Sequence, residues 1–239
     1  MNSLPHEIAL RAEGLSKSFT LHLHGGQVLP VLHELSFTAN AGECVVLGGP
    51  SGAGKSSVLK MLYGNYLAGG GSILVRHEGG LVDIAGAGAK QILEIRRRTL
   101  GYVSQFLRVI PRVPALDIVA EPAMAAGLSR EAARERAASL LTRLNLPLRL
   151  WALPPSTFSG GEQQRVNIAR GFAGDHSILI LDEPTASLDA SNSEAVVALI
   201  AERKAAGAAF VGIFHDETVR SRVADHIVDV TRCAARPAA

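Results

Sequence analysis

The chain has 239 residues, 47% of them hydrophobic and 5% aromatic, and a formal net charge of +2. That length supports one sizeable core in one or two lobes, and the Ala, Gly, Val and Leu content fits an α/β protein better than a β-sandwich. The near-neutral balance argues against nucleic acid or anionic lipid as partner. The two cysteines, Cys44 and Cys233, stand far apart. Cys44 reads as a buried thiol, and a reducing cytoplasm is the expected compartment. The start "MNSLPHEIAL" lacks the regions of a signal peptide, and no apolar run approaches the ~18 residues of a membrane span, so no direct membrane insertion is expected.

In chain order, "IALRAEGLSKSFTLHL" and "VLPVLHELSFTA" read as strands joined by the turn "HGGQ". "ECVVLGG" is a continuous apolar strand of the doubly buried kind. "GKSSVLKMLYG" predicts a helix, "SILVRHEGGLVDIAG" a hairpin around Gly79-Gly80, "KQILEIRRR" a short helix and "TLGYVSQ" a strand. From Leu116 to Leu146 the pattern turns helical, with Ser129 as an N-cap. The expectation is one domain over 1–239, with a helical lobe inserted from Phe106 to about Phe158 and, taken broadly, over 106–175. "SILILD" is a buried strand. "SEAVVALIAERKAAG" is a helix opened by a Ser191/Glu194 capping box and ended by Gly207. "AAFVGIF", a short helix and "HIVDV" close the core, leaving a loosely ordered Ala/Pro tail after Asp229. Strands alternating with helices imply a parallel sheet.

"GPSGAGKS" fits the phosphate-loop pattern between a predicted strand and a predicted helix. Gly49, Pro50, Ser51, Gly52, Ala53 and Gly54 would wrap successive N–H groups around phosphates, with Ser57 just inside the helix. Lys55 would meet the outer phosphates and Ser56 would place a hydroxyl on Mg²⁺. Asp182 ends an apolar strand, where its carboxylate can face the same metal. Glu183 follows, where a general base for a water should stand. Gln105 and His215 also end predicted strands, at the sheet edge where ligands bind. Gln105 would meet water and Mg²⁺, and His215 the γ-phosphate.

"TFSGGEQQRVNIARG" holds a second anion-seeking helix start, far in sequence from the first. Ser159 offers a hydroxyl, Gly160 and Gly161 admit a close backbone, and the helix N-terminus bares N–H groups.

Taken in order, the phosphate loop, Gln105, "FSGGEQQR", "ILILDEP", "SLD" and His215 resemble the ATP-binding-cassette (ABC) ATPase superfamily across nearly the whole chain. The resemblance implies a P-loop core with an antiparallel β subdomain and a helical signature subdomain, ATP with Mg²⁺, and a second cassette as partner. It implies that Ser159, Gly160, Gly161 and Glu162 complete the facing chain's ATP site, that Asp189 couples the two sites, and that Phe19 stacks on adenine. Two residues depart from the family's Leu-Ser-Gly-Gly-Gln: Phe158, an apolar swap, and Glu162, expected to pair with Arg165.

More narrowly, "GYVSQFLRVIPRVPALDIV", "LLTRLNLPLRLWALPPSTFSGGEQQRVNIARGF" and "VGIFHDE" resemble the L-subunit family of bacterial carbon–phosphorus lyase systems. That resemblance implies an ATPase subunit among soluble lyase-complex subunits, supporting formation of alpha-D-ribose 1-methylphosphonate 5-triphosphate from ATP and methylphosphonate. Radical C–P cleavage itself needs a cluster held by three or four cysteines, which two distant ones do not supply. The alternative is the cassette of a lipoprotein-release or export transporter. A ribosome-associated cassette is disfavoured by the charge and by the lack of a long charged insertion. The expected docking segment follows Gln105, with Arg108 and Arg112 flanking Val109 and Ile110.

Overall fold

Two kinds of strand are written into the sequence, one alternating and one continuously apolar. The computed structural model describes residues 7–21, 25–107 and 111–233 and gathers each kind into its own sheet. In chain order the elements are β1 (Ile8–Leu21), β2 (Gln27–Asn40), β3 (Cys44–Gly48), α1 (Lys55–Leu62), β4 (Gly70–His77), β5 (Gly80–Asp83), α2 (Ala89–Arg98) and β6 (Leu100–Val103). There follow α3 (Ala115–Ala125), α4 (Arg130–Arg143), α5 (Gly160–Ala173), β7 (Ile178–Asp182), α6 (Ala190–Ala205), β8 (Ala209–Ile213), α7 (Glu217–Val223) and β9 (His226–Asp229).

The antiparallel sheet runs β2-β1-β4-β5 and the parallel sheet β6-β7-β8-β3-β9. β7 and β8 are buried along their whole length because both faces of the parallel sheet are covered. Side chains alternate between those faces. Val45, Leu47, Ile178, Ile180 and Val211 enter a core shared with α1 and the antiparallel sheet. Cys44, Val46, Leu179, Leu181 and Phe210 enter a second core filled from α3, α4, α5, α6 and α7. Each such side chain, fully buried, contributes about 1.5–3 kcal/mol. The C-terminal ends of the parallel strands are thus held from two sides.

Local signals hold in most places. Glu78 and Gly79 turn β4 into β5 with φ of 49° and 84°, the both-positive geometry of a tight hairpin. Ser129 caps α4 by accepting from the Ala132 N–H at 3.2 Å. Two expectations are corrected. The N-cap of α6 is Asp189, whose carboxylate accepts from the Asn192 N–H at 2.8 Å, not Ser191; Glu194 pairs instead with Arg222 of α7. An acid two residues earlier takes the bare N–H groups and adds a favourable charge at the helix start. The segment after Asp229 is not loose at once, since Val230–Cys233 forms a 3-10 turn with Val230 fully buried. Residues 234–239 lie outside the described residues.

One close approach ties the lobes together. A Cβ on Gly171 would lie 2.3 Å from Val103 Cγ2, so only glycine lets α5 rest directly on β6.

Candidate nucleotide site

The loop between β3 and α1 is shaped by its glycines. Gly54 has φ of 91°, and a Cβ there would lie 2.9 Å from Val31 Cγ1, so both conformation and space demand glycine. As the N-cap residue of α1, Gly54 offers no side chain, and the first N–H groups of the helix have no side-chain cap. That is the arrangement an anion fills. The Lys55 ammonium, almost fully buried, donates to the carbonyls of Gly49 and Pro50 at 2.7 Å each.

β7 delivers Asp182 to this loop. Its Oδ1 lies 3.4 Å from the Ser56 hydroxyl, and its Oδ2 accepts the Tyr102 hydroxyl of β6 at 2.9 Å. Burial pushes the Asp182 carboxyl up from its ordinary value; the Tyr102 hydrogen bond opposes this, and the Glu183 charge adds to it. Glu183 has a left-handed backbone, φ 52°, unusual for a residue with a side chain. The kink turns it out of the strand direction. Its Oε2 accepts the Gln105 amide at 3.1 Å and its Oε1 meets His215 Nε2 at 2.8 Å. Three residues expected from separate strand ends, Gln105, Glu183 and His215, therefore form one clamp, with Asp182 and Ser56 beside it.

The second helix start is built differently. Ser159 caps α5, accepting from the Glu162 N–H at 3.3 Å, while Glu162 Oε2 accepts both the Ser159 N–H and its hydroxyl at 2.8 Å. These bonds hold the Glu162 carboxyl below the usual carboxylate range. The expected Glu162–Arg165 pair is corrected: Arg165 donates to the carbonyls of Gly161 and Asn145, and acts on Glu162 only through its field. The capping box wins because Glu162 sits at the position whose side chain reaches back to the N-cap. A Cβ on Gly160 would meet nothing within 4 Å, so this helix start is open to the outside. Gly161 lies against the Ser187 carbonyl, bringing the signature beside the "SLD" turn.

Phe19 is not drawn into the clamp. Its ring meets Tyr66 edge-on at 5.5 Å, with the Lys17 ammonium 4.9 Å from its centre. It pairs with Leu29 in β2, two residues before the Val31 that touches Gly54. Among the expected docking residues, 108–110 lie outside the described residues, and Arg112 is exposed. A groove of about 610 Å³ is lined by Lys60, Tyr63, Arg96, Phe106, Arg170 and Asp182. Phe106 is 73% exposed on its wall, and Leu93 is 63% exposed on an adjoining one.

Tyr102 was not legible as part of this site. It is the polar residue among the apolar ones of "LGYV", and that hydroxyl in a buried strand was the available signal. The Asp182 carboxylate and the Ser56 hydroxyl meet as oxygen donors. They suit Mg²⁺, which is held by one or two carboxylates plus substrate phosphates; among the described residues no three His, Cys, Asp or Glu side chains form a cage for a metal.

The sequence pattern of the family described as "ABC transporter" matches residues 32–186. The chain belongs to that family. It is an ABC-type ATPase cassette. It is 36% identical over 208 residues to the lipoprotein-releasing system ATP-binding protein LolD of Idiomarina loihiensis, covering 87% of this chain and 88% of that one. It is 40% identical over 201 residues to LolD of Maricaulis maris, covering 82% and 83%. To the macrolide export ATP-binding/permease protein MacB 1 of Yersinia pestis bv. Antiqua it is 33% identical over 226 residues, 92% of this chain but 33% of MacB. The cassette thus spans about a third of the length of its MacB relatives. Among solved structures, the dimeric MJ0796 ABC transporter cassette superposes with a TM-score of 0.83 at 27% identity, over 93% of this chain and 95% of that one. Its dimeric post-hydrolysis state bound to ADP and Pi gives 0.82 at 25% identity, over 96% and 99%.

Proposed function

We propose that this cassette pairs with a second one, a copy or a relative, and closes on two ATP molecules. Each nucleotide is held by the phosphate loop of one chain and by Ser159, Gly160 and Gly161 of the other. Glu183 polarises the water that attacks the γ-phosphate. The observation that carries this reading is the clamp on Glu183, a carboxylate fixed between Gln105 and His215 beside Asp182. A base held this way needs little reorganisation when a water arrives. The dimeric forms of MJ0796 support the pairing.

In this reading residues 49–57 supply backbone N–H groups, and Lys55 turns from its two carbonyls to the outer phosphates. Ser56, Asp182 and Gln105 hold Mg²⁺, which neutralises phosphate charge when bound. His215 senses the γ-phosphate, Phe19 offers an aromatic face to adenine, and Asp189 stiffens the turn beside the signature while coupling the two sites.

Two partners fit such a motor. The LolD and MacB relatives support a membrane transporter of the lipoprotein-release or export type, docked by an apolar segment in the groove lined by Phe106 and Arg96. The carbon–phosphorus lyase reading rests on the resemblance of the stretches around Gln105, Ser159 and His215; the relatives named above do not support it. Affinity purification of the tagged chain, with detergent, from its own cells grown on a phosphonate tests both. A co-purifying membrane permease decides for the transporter. Soluble phosphonate-lyase subunits decide for the lyase complex, and ribosomes would overturn both.

A further inference from the structure

Asp182 and the groove are joined by a short chain of side chains. The Tyr102 hydroxyl donates to Asp182 Oδ2 at 2.9 Å, leaving Oδ1 toward Ser56 at 3.4 Å. The Tyr102 ring packs on Tyr63, centres 4.9 Å apart and tilted by 33°. The Arg96 guanidinium lies over the Tyr63 ring, 4.4 Å from its centre, and is anchored by hydrogen bonds of 2.8 Å to the Tyr63 carbonyl and the Asn65 side chain. Arg96, Tyr63 and Tyr102 all line the groove walls. The stack therefore reaches from a surface where something can bind to a carboxylate that touches the phosphate loop.

We propose that Tyr102 is a positioning residue for the Asp182 carboxylate, and that the Arg96–Tyr63–Tyr102 stack carries the state of the groove to it. The physical case is a matter of rotation and desolvation. A nearly buried carboxylate has two equivalent oxygens and can turn about its last torsion. A phenol fixed on Oδ2 stops that turn and leaves Oδ1 facing Ser56, the pair that would hold the cation. Outer partners of this kind orient ligands and typically change metal affinity by about 10–100-fold when removed. Tyr102 is in turn fixed by its ring contact with Tyr63, and Tyr63 by Arg96. Arg96 is the member whose partners a docked segment can rearrange: an acidic or carbonyl group in the groove would compete for its donors. Packing alone would need only a phenylalanine at 102.

The proposal rests on reading Asp182 as the metal carboxylate, and the test separates the two. Mn²⁺ binding to the ADP-loaded chain is measured by electron paramagnetic resonance, and ADP affinity in chelator reports an intact nucleotide fold. Tyr102→Phe should weaken Mn²⁺ about 10-fold, raise the Mg²⁺ concentration for half-maximal turnover to match, and leave the metal-free ADP affinity unchanged. Arg96→Ala should weaken Mn²⁺ about 2- to 3-fold alone and not at all on top of Tyr102→Phe, as members of one chain do. Tyr63→Leu repeats that cycle from the middle of the stack. Unaltered Mn²⁺ affinity in Tyr102→Phe, with Asp182→Asn abolishing it, overturns the positioning role alone. A full additive effect of both Arg96→Ala and Tyr63→Leu in the Tyr102→Phe background overturns the link to the groove. Unaltered Mn²⁺ affinity in Asp182→Asn overturns the metal reading beneath both.

Discussion

The two helix starts proposed to meet phosphates, α1 and α5, are finished in opposite ways. Gly54 gives α1 no side-chain cap, and the N–H groups behind it wait for a ligand. Ser159 and Glu162 cap α5 reciprocally, each accepting the other's backbone N–H. An uncapped start binds phosphate unaided, because leaving those donors unmet is costly. A capped start is content alone and gives up bonds only when something better arrives. On the proposed reading, the phosphate loop grips its nucleotide without a partner's side chain, whereas the signature completes the site of the facing chain.

The widest effect is expected where the comparison meets chemistry. Glu183→Gln keeps the shape of the clamp and removes the base. Turnover of purified protein should fall about 10²- to 10⁴-fold with ATP affinity retained, and an ATP-dependent dimer should accumulate on size-exclusion chromatography. Turnover near wild type would remove Glu183 from the base role.

Next in size is the uncapped start. Lys55→Ala removes the buried charge proposed to meet the phosphates, and ATP affinity measured by calorimetry should drop about 10- to 100-fold. Unchanged affinity would mean that the loop does not bind the triphosphate.

Smaller still, in a single chain, is the effect at the capped start. Ser159→Arg should leave monomer ATP affinity within about twofold, as expected of a side chain that touches no nucleotide of its own, while erasing the dimer of the Glu183→Gln background. Loss of monomer binding would place the signature on its own chain's nucleotide and end the contrast.

The mildest change is at Glu162. Its folded carboxyl is held low by Ser159, so the stabilisation it gives is present above the unfolded glutamate value and is lost as pH falls through the folded one. Glu162→Gln should flatten that acid limb in thermal melts taken from pH 3 to 7, and should make dimer formation with ATP a few-fold easier by removing a charge repelled by triphosphate. A dimer weakened by this change would show that the carboxylate helps closure rather than resisting it.

Much of this was legible in the sequence because the chemistry is local. A phosphate loop is eight adjacent residues, and Asp182 and Glu183 are neighbours at the end of an apolar run. Gln105, Glu183 and His215 could each be placed at a strand end, since parallel strands put those ends on one edge. Their meeting in a clamp depended on the kink at Glu183, which no local pattern announces. The α6 cap was misread because Ser191-x-x-Glu194 and Asp189-x-x-Asn192 both fit a helix start. The choice was made by Arg222, 28 residues beyond Glu194, which draws that acid away. Tyr102 escaped notice for a similar reason, since its partner lies 80 residues along the chain.

The contact of Gly171 with Val103 has a mechanical side. It makes the far end of α5 a shoulder, bedded on the strand that leads to Gln105, and the rest of the helix an arm that ends at Ser159. From shoulder to fingertip the arm is roughly 18 Å at the rise of an α-helix. A swing of about 10° at the shoulder therefore moves the fingertip by about 3 Å, the length of one hydrogen bond. On the proposed reading, a methyl group forced beneath α5 at Gly171 would therefore displace Ser159 from its place against the neighbouring nucleotide.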